Sequence, residues 1–129
     1  MEFRLVYQGR LPSEQRSDSR PDEKHAIRRV FHPQLAELWV QDPFLRLHGD
    51  AQTASKGNLN YGKSAKEIIA ATHTKHGYRF LPLVRKVTGA TCALNILFLR
   101  RDNPGSIVIS GGDIDNRIKV LFDSLRVPD

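Results

Sequence analysis

The segment "EKHAIRRVFHPQLAELWVQ", residues 23–41, limits the choice of fold more than any other stretch of this chain. Ile27, Val30, Phe31, Leu35, Leu38 and Trp39 recur at the spacing of one helix face, which predicts an amphipathic helix that must bury its stripe against something. Pro33 lies inside the pattern, where it removes a hydrogen bond and clashes with the preceding turn, so a kink or two abutting helices are expected there. Lys24, Arg28 and Arg29 fall off the apolar stripe. They read either as a solvated face or as contacts to phosphate.

Strands are expected on both sides of this helix. Residues 2–8, "EFRLVYQ", alternate, with Phe3, Leu5 and Tyr7 on one side, which predicts a half-buried strand. Residues 11–22 are polar with Pro12 and Pro21 and read as a loop. Residues 42–64 read as a long polar loop, a length that in a compact domain signals function or disorder, followed by a short helix over 64–71, "SAKEIIAA". "GYRFLPLVRK", residues 77–86, predicts a strand with Pro82 at an edge or bulge. "TCALNILFLR", residues 91–100, is apolar on both faces apart from Asn95, as in a central strand, and Cys92 is expected in the core. "GSIVIS", residues 105–110, extends or re-pairs that strand beyond the turn "RDNPG". The order predicts a single α+β domain over residues 1–129, a small mixed or antiparallel sheet with helices packed on it.

Composition adds limits. A single cysteine excludes an intramolecular disulfide and suits a reduced, cytoplasmic setting. The first ten residues do not make a secretory signal, and no apolar run would span a bilayer, so no membrane partner is expected. The net charge of +6 and the pI of about 9.8 suit a nucleic-acid partner or an ordinary basic protein. No G-x-G-x-x-G segment occurs; "GNLNYGKS", residues 57–64, has the G-x-x-x-x-G-K-S spacing but falls in a stretch read as loop, with no strand expected directly before it.

The chemistry concentrates in "GGDIDNRIKVLFDSLRVPD", residues 111–129. On a helical wheel Ile114, Ile118, Leu121, Phe122 and Leu125 form an apolar stripe meant for the sheet, and Asp115, Lys119 and Arg126 form the neighbouring one. Gly111 and Gly112 allow a sharp entry, and Asp113 precedes or opens the first turn. Two neighbouring carboxylates repel one another and favour a hard cation, magnesium or manganese. Lys119 then supplies a positive charge for a phosphoryl group, and Asn116 can orient a carboxylate. The same residues also suit a purely structural role. Aspartates cap helices and favour the helix dipole, and Asp115–Lys119–Asp123 is an ordinary i,i+4 ladder. His73 and His76 could share a helix face, but with no further ligand in view zinc is not expected; His25 and His32 read as packed or surface imidazoles.

The longer segment "GGDIDNRIKVLFDSL" resembles the signature of the RusA family of Holliday-junction resolvases, in which D-[LI]-D-N-x-x-K opens a helix that continues into an apolar "DAL"-like turn. "KHAIRRVFHPQLAELW" is similar to uncharacterised RusA-like proteins of bacteria and phages. The resemblance implies a small homodimeric endonuclease that nicks four-way or other branched DNA with Mg2+ or Mn2+. It makes Asp113 and Asp115 metal ligands and Lys119 the catalytic lysine, with Asn116 secondary. Lys24, Arg28, Arg29, Arg117 and Arg126 are candidate DNA contacts. The family carries a further acidic position after this helix, then strands that complete the sheet, and Asp129 does not match that position. The expectation is a truncated or split form whose missing carboxylate and strands come from a second chain or are absent. A non-catalytic, basic DNA-binding or assembly module is the alternative, and a component cutting RNA or generic DNA is a third.

Overall fold

The structure, a computed structural model, describes residues 1–13, 21–101, 103 and 114–128. The expected strand at 105–110, the glycines Gly111 and Gly112, Asp113, Asp129 and most of the expected 11–22 loop lie outside the described residues.

The long periodic segment forms α1 (Pro21–Gln41), 21 residues long, with Pro21 at its start and Pro33 inside it. Proline suits a first helical position because its missing N–H has no partner there anyway. The helix is not divided at Pro33. Pro33 removes the donor that the Arg29 carbonyl would have had, yet both residues are exposed, so water can serve that carbonyl. The division comes instead at Asp42, whose N–H closes α1 on the Leu38 carbonyl at 2.9 Å. Its side chain accepts from the Leu45 N–H at 2.9 Å and opens α2 (Pro43–Asp50). This corrects the reading of 42–64 as loop throughout.

The short helix is present as α3 (Ala65–Thr72). Ser64 and Glu67 form a reciprocal capping box: the Ser64 N–H donates to Glu67 Oε2 at 2.6 Å, and the Glu67 N–H donates to Ser64 Oγ at 3.3 Å. A tight hairpin follows, β1 (Thr74–Lys75) antiparallel to β2 (Tyr78–Arg79), turning through His76 and Gly77, both at positive φ.

The strand expectations need correction. The strand at 77–86 shrinks to Tyr78–Arg79. Beyond it the Phe80 N–H still reaches the His73 carbonyl at 3.0 Å, but Pro82 has no N–H to continue a ladder. Residues 91–100 form no strand, and Leu97 and Leu99 are 84% and 81% exposed. Cys92 is exposed, not core. Residues 2–8 form no strand either. Their would-be ladder partner is a side chain: Gln34 Oε1 accepts from the Val6 N–H at 2.8 Å, and Gln34 Nε2 donates to the Val6 carbonyl at 2.8 Å.

The last helix, α4 (Ile114–Leu125), packs on α1 and not on a sheet. Among the described residues the architecture is therefore four helices with a two-stranded antiparallel sheet, broadly α+β. Leu11, Ile27, Phe31 and Val120 make the core, with Leu5, Tyr7, Leu35, Phe98 and Leu121 against it. Tyr7 meets Phe31 edge to face at 6.2 Å. Trp39, Leu45 and Ile69 are also buried, one each on α1, α2 and α3. At Gly49 a Cβ would fall 3.0 Å from the Trp39 ring and 2.9 Å from the Lys66 chain, so only a residue without a side chain lets α2 approach this closely. No helix among the described residues is long and apolar enough to cross a membrane.

Candidate functional site

The acidic motif sits at the start of α4. Asp115 is exposed in the first turn, where a carboxylate favours the positive end of the helix dipole. Asn116, Arg117 and Lys119 are half-buried. Helical spacing puts Asp115 and Lys119 on one face, a turn apart. Asp113 lies outside the described residues.

The face that α4 buries differs from the expected one. Val120 is 0% exposed, Ser124 is buried and Leu121 packs on the core, whereas Phe122 and Leu125 are exposed. The buried stripe thus runs Arg117–Val120–Leu121–Ser124, and Ser124 returns its hydroxyl to the Val120 carbonyl at 2.7 Å. Polar anchors set this rotation. The Lys24 ammonium, buried on α1, meets the Asp123 carboxylate at 3.0 Å. Arg28 donates through Nη2 to the Asp123 carbonyl at 2.6 Å and through Nε to the Arg126 carbonyl at 3.3 Å. At the other end of α4, Arg117 Nη1 donates to the Leu11 carbonyl.

This geometry revises the expectation for the basic residues. Lys24 and Arg28 are not a solvated face; both bind the C-terminal end of α4, where cations complement its carbonyls. Burial lowers the Arg28 guanidinium from its ordinary value, and the nearby Asp123 opposes that shift. An arginine remains charged at neutral pH regardless. Arg126 Nη1 lies 3.7 Å from Asp123, and Arg117 reaches back to the N-terminal segment. Of the candidate DNA contacts, Arg29 is exposed on α1 and Arg126 is exposed just past α4.

The donors at the head of α4 are oxygens, the type that suits magnesium or manganese. Among the described residues, however, no group of three or more His, Cys, Asp or Glu could hold a metal ion. The described part of the motif fits such an ion in donor chemistry and not in donor number. His73 and His76 do not share a helix face: His73 caps α3 with Nδ1 2.8 Å from the Ile69 carbonyl, and His76 lies in the hairpin turn. His25 meets the Tyr78 ring at a tilt of 49°, with ring centroids 4.7 Å apart.

Sequence reasoning missed the Lys24–Asp123 pair and the Arg28 clasp, and no local pattern announces partners separated by 95 positions or more. The Asp42 cap did carry a signal, an aspartate followed by proline at a first helical position. No family model, curated protein or solved structure matches the chain.

Proposed function

We propose that this chain is a RusA-like, metal-dependent endodeoxyribonuclease that acts as a homodimer on four-way or other branched DNA in the cytoplasm. The observation that carries the reading is the D-I-D-N-R-I-K segment, with Asp115 exposed in the first turn of α4 and Lys119 one turn further on the same face. Asp113 and Asp115 would hold the ion. When bound, a divalent cation supplies Lewis acidity and a water of lowered pKa. Lys119 presents an ammonium to the phosphoryl oxygens as charge builds there. The Asn116 amide orients a neighbouring carboxylate.

The test is nicking of a synthetic four-way junction. Cleavage is expected with Mg2+ or Mn2+, and is expected to vanish with chelator and in Asp115→Asn. No cleavage by the unaltered chain with either ion ends the proposal for this chain alone.

The second reading, a basic module that binds branched DNA without turnover, draws on the net charge of +6 and the exposure of Arg29 and Arg126. It predicts salt-sensitive binding with no nicking under any metal, and only a modest affinity loss in Lys119→Ala.

A further inference from the structure

The connection between α2 and α3 is a built loop with an apolar tip. Gln52 bridges Ser64, the Thr53 N–H donates to the Lys63 carbonyl at 3.1 Å, and the Gly62 N–H donates back to the Thr53 carbonyl at 3.0 Å. Inside that closure the Asn58 N–H reaches the Ser55 carbonyl at 3.2 Å, and the Tyr61 N–H reaches the Asn58 carbonyl at 2.9 Å. Asn58 Oδ1 accepts from the Asn60 N–H at 2.9 Å. Gly57 and Gly62 take the left-handed backbone these turns demand.

This closed loop holds its large side chains outward. Leu59 is 97% exposed and Tyr61 is exposed beside it. Leu59 and Tyr61 thus offer adjacent aliphatic and aromatic contact surfaces at the tip of the loop. The charge within the loop segment itself has one sign. From Ala51 to Lys66 there is no Asp or Glu, while Lys56 and Lys63 are exposed. Lys66 is paired with Asp50 at 2.5 Å and takes no part. The nearest following acid, Glu67, is held in the capping box, and both Lys63 and Arg79 act on its carboxylate.

A hydrogen-bonded tip with an aromatic ring, an aliphatic wedge and flanking lysines has the chemistry of a surface for unstacked bases. A base offers a flat apolar face to Tyr61, its phosphate a negative charge to Lys56 and Lys63, and such stacking tolerates any sequence. A closed duplex hides those faces and offers only phosphates. We infer that loop 52–64 binds unpaired or unstacked nucleic-acid strand, with bases against Tyr61 and Leu59 and phosphates on Lys56 and Lys63. The inference shares with the nuclease reading a nucleic-acid partner, and names the part of a branched substrate that this loop contacts; it does not depend on the acidic motif.

The experiment is fluorescence anisotropy of the full chain in chelator, so that binding is read without cleavage. The probes are a labelled single strand, a four-way junction and a blunt hairpin duplex. The Leu59→Ser/Tyr61→Ala double variant is expected to bind the single strand at least about tenfold more weakly, with little change on the duplex. Tyr61→Phe should retain binding, because the ring is kept. Lys56→Ala/Lys63→Ala should lower the single-strand salt slope by about 1.4. All substitutions are at exposed positions, and unchanged far-UV circular dichroism verifies the fold. Equal binding by the double variant and the unaltered chain overturns the inference, as does an equal loss on the blunt duplex or failure of the unaltered chain to bind any oligonucleotide. Sedimentation with phosphatidylserine–phosphatidylcholine vesicles that requires Leu59 and Tyr61, without oligonucleotide binding, overturns it in favour of a membrane surface. A loop defect in chelator with normal Asp115-dependent nicking, or the reverse, separates its failure from that of the nuclease reading.

Discussion

The seam between α1 and α4 and the segment 91–100 form an instructive pair. The seam is the more polar in sequence: Lys24, Arg28, Arg117, Asp123 and Ser124 all lie in it. Segment 91–100 is the more apolar, yet Leu94, Ile96, Leu97 and Leu99 are all exposed and only Phe98 packs on the core. Apolar character creates a demand for cover but does not supply the cover. The polar groups that cross the seam meet partners there, Lys24 the Asp123 carboxylate, Arg28 two carbonyls at the end of α4 and Arg117 the Leu11 carbonyl, so much of their desolvation is compensated. Segment 91–100 is β-prone, but no strand among the described residues pairs with it.

The comparison can be broken by substitution, and urea denaturation with linear extrapolation is the common measurement. Ile27→Ala should have the largest effect, about 3 kcal/mol, since it empties the centre of the core. Asp123→Asn follows, at about 2 kcal/mol, because the buried Lys24 ammonium loses the carboxylate charge 3.0 Å away. A near-neutral result there would show that the Asp123 charge is not what holds the seam closed. Ser64→Ala should remove about 1 kcal/mol by uncapping α3.

The same cap predicts a pH response. Hydrogen bonds from Ser64 lower the Glu67 carboxyl from its ordinary value. A depressed carboxyl stabilises the fold above its unfolded value and loses that contribution as pH falls through the lower folded value. Acid titration of helical circular dichroism should therefore show a step below the usual carboxylate range, absent in Glu67→Gln. Leu97→Ser/Leu99→Ser should have the smallest effect, within about 0.5 kcal/mol, because both side chains already face water. A large loss there would mean that the segment is covered in solution, and the contrast would fail.

Legibility followed the range of the interactions. α3 could be read because its capping box and apolar residues lie within a few positions of each other. α1 could be read because its stripe repeats, although Pro33 suggested a division that solvent access to the Arg29 carbonyl made unnecessary. The strands expected at 2–8 and 91–100 could not be read. Alternation describes a surface that fits a ladder, not the presence of a partner, and at Val6 the partner is the Gln34 amide. The motif at the head of α4 was visible as spacing, and Asp115 stands in the first turn as expected. The rotation of α4 was not visible, because it is set by Lys24, Arg28 and Arg117 reaching residues far along the chain.

That reach has a consequence for how the molecule is made. The guanidinium of Arg28 and its carbonyl acceptor on Asp123 are separated by 95 positions. A ribosome releasing the chain from its N-terminus therefore exposes the Ile27–Phe31 face well before Val120 exists to cover it. Closing so long a loop is entropically slow compared with forming α3 locally. Nascent chains should thus pass through an interval in which α1 is a binding site for chaperones, an interval that ends only when α4 docks.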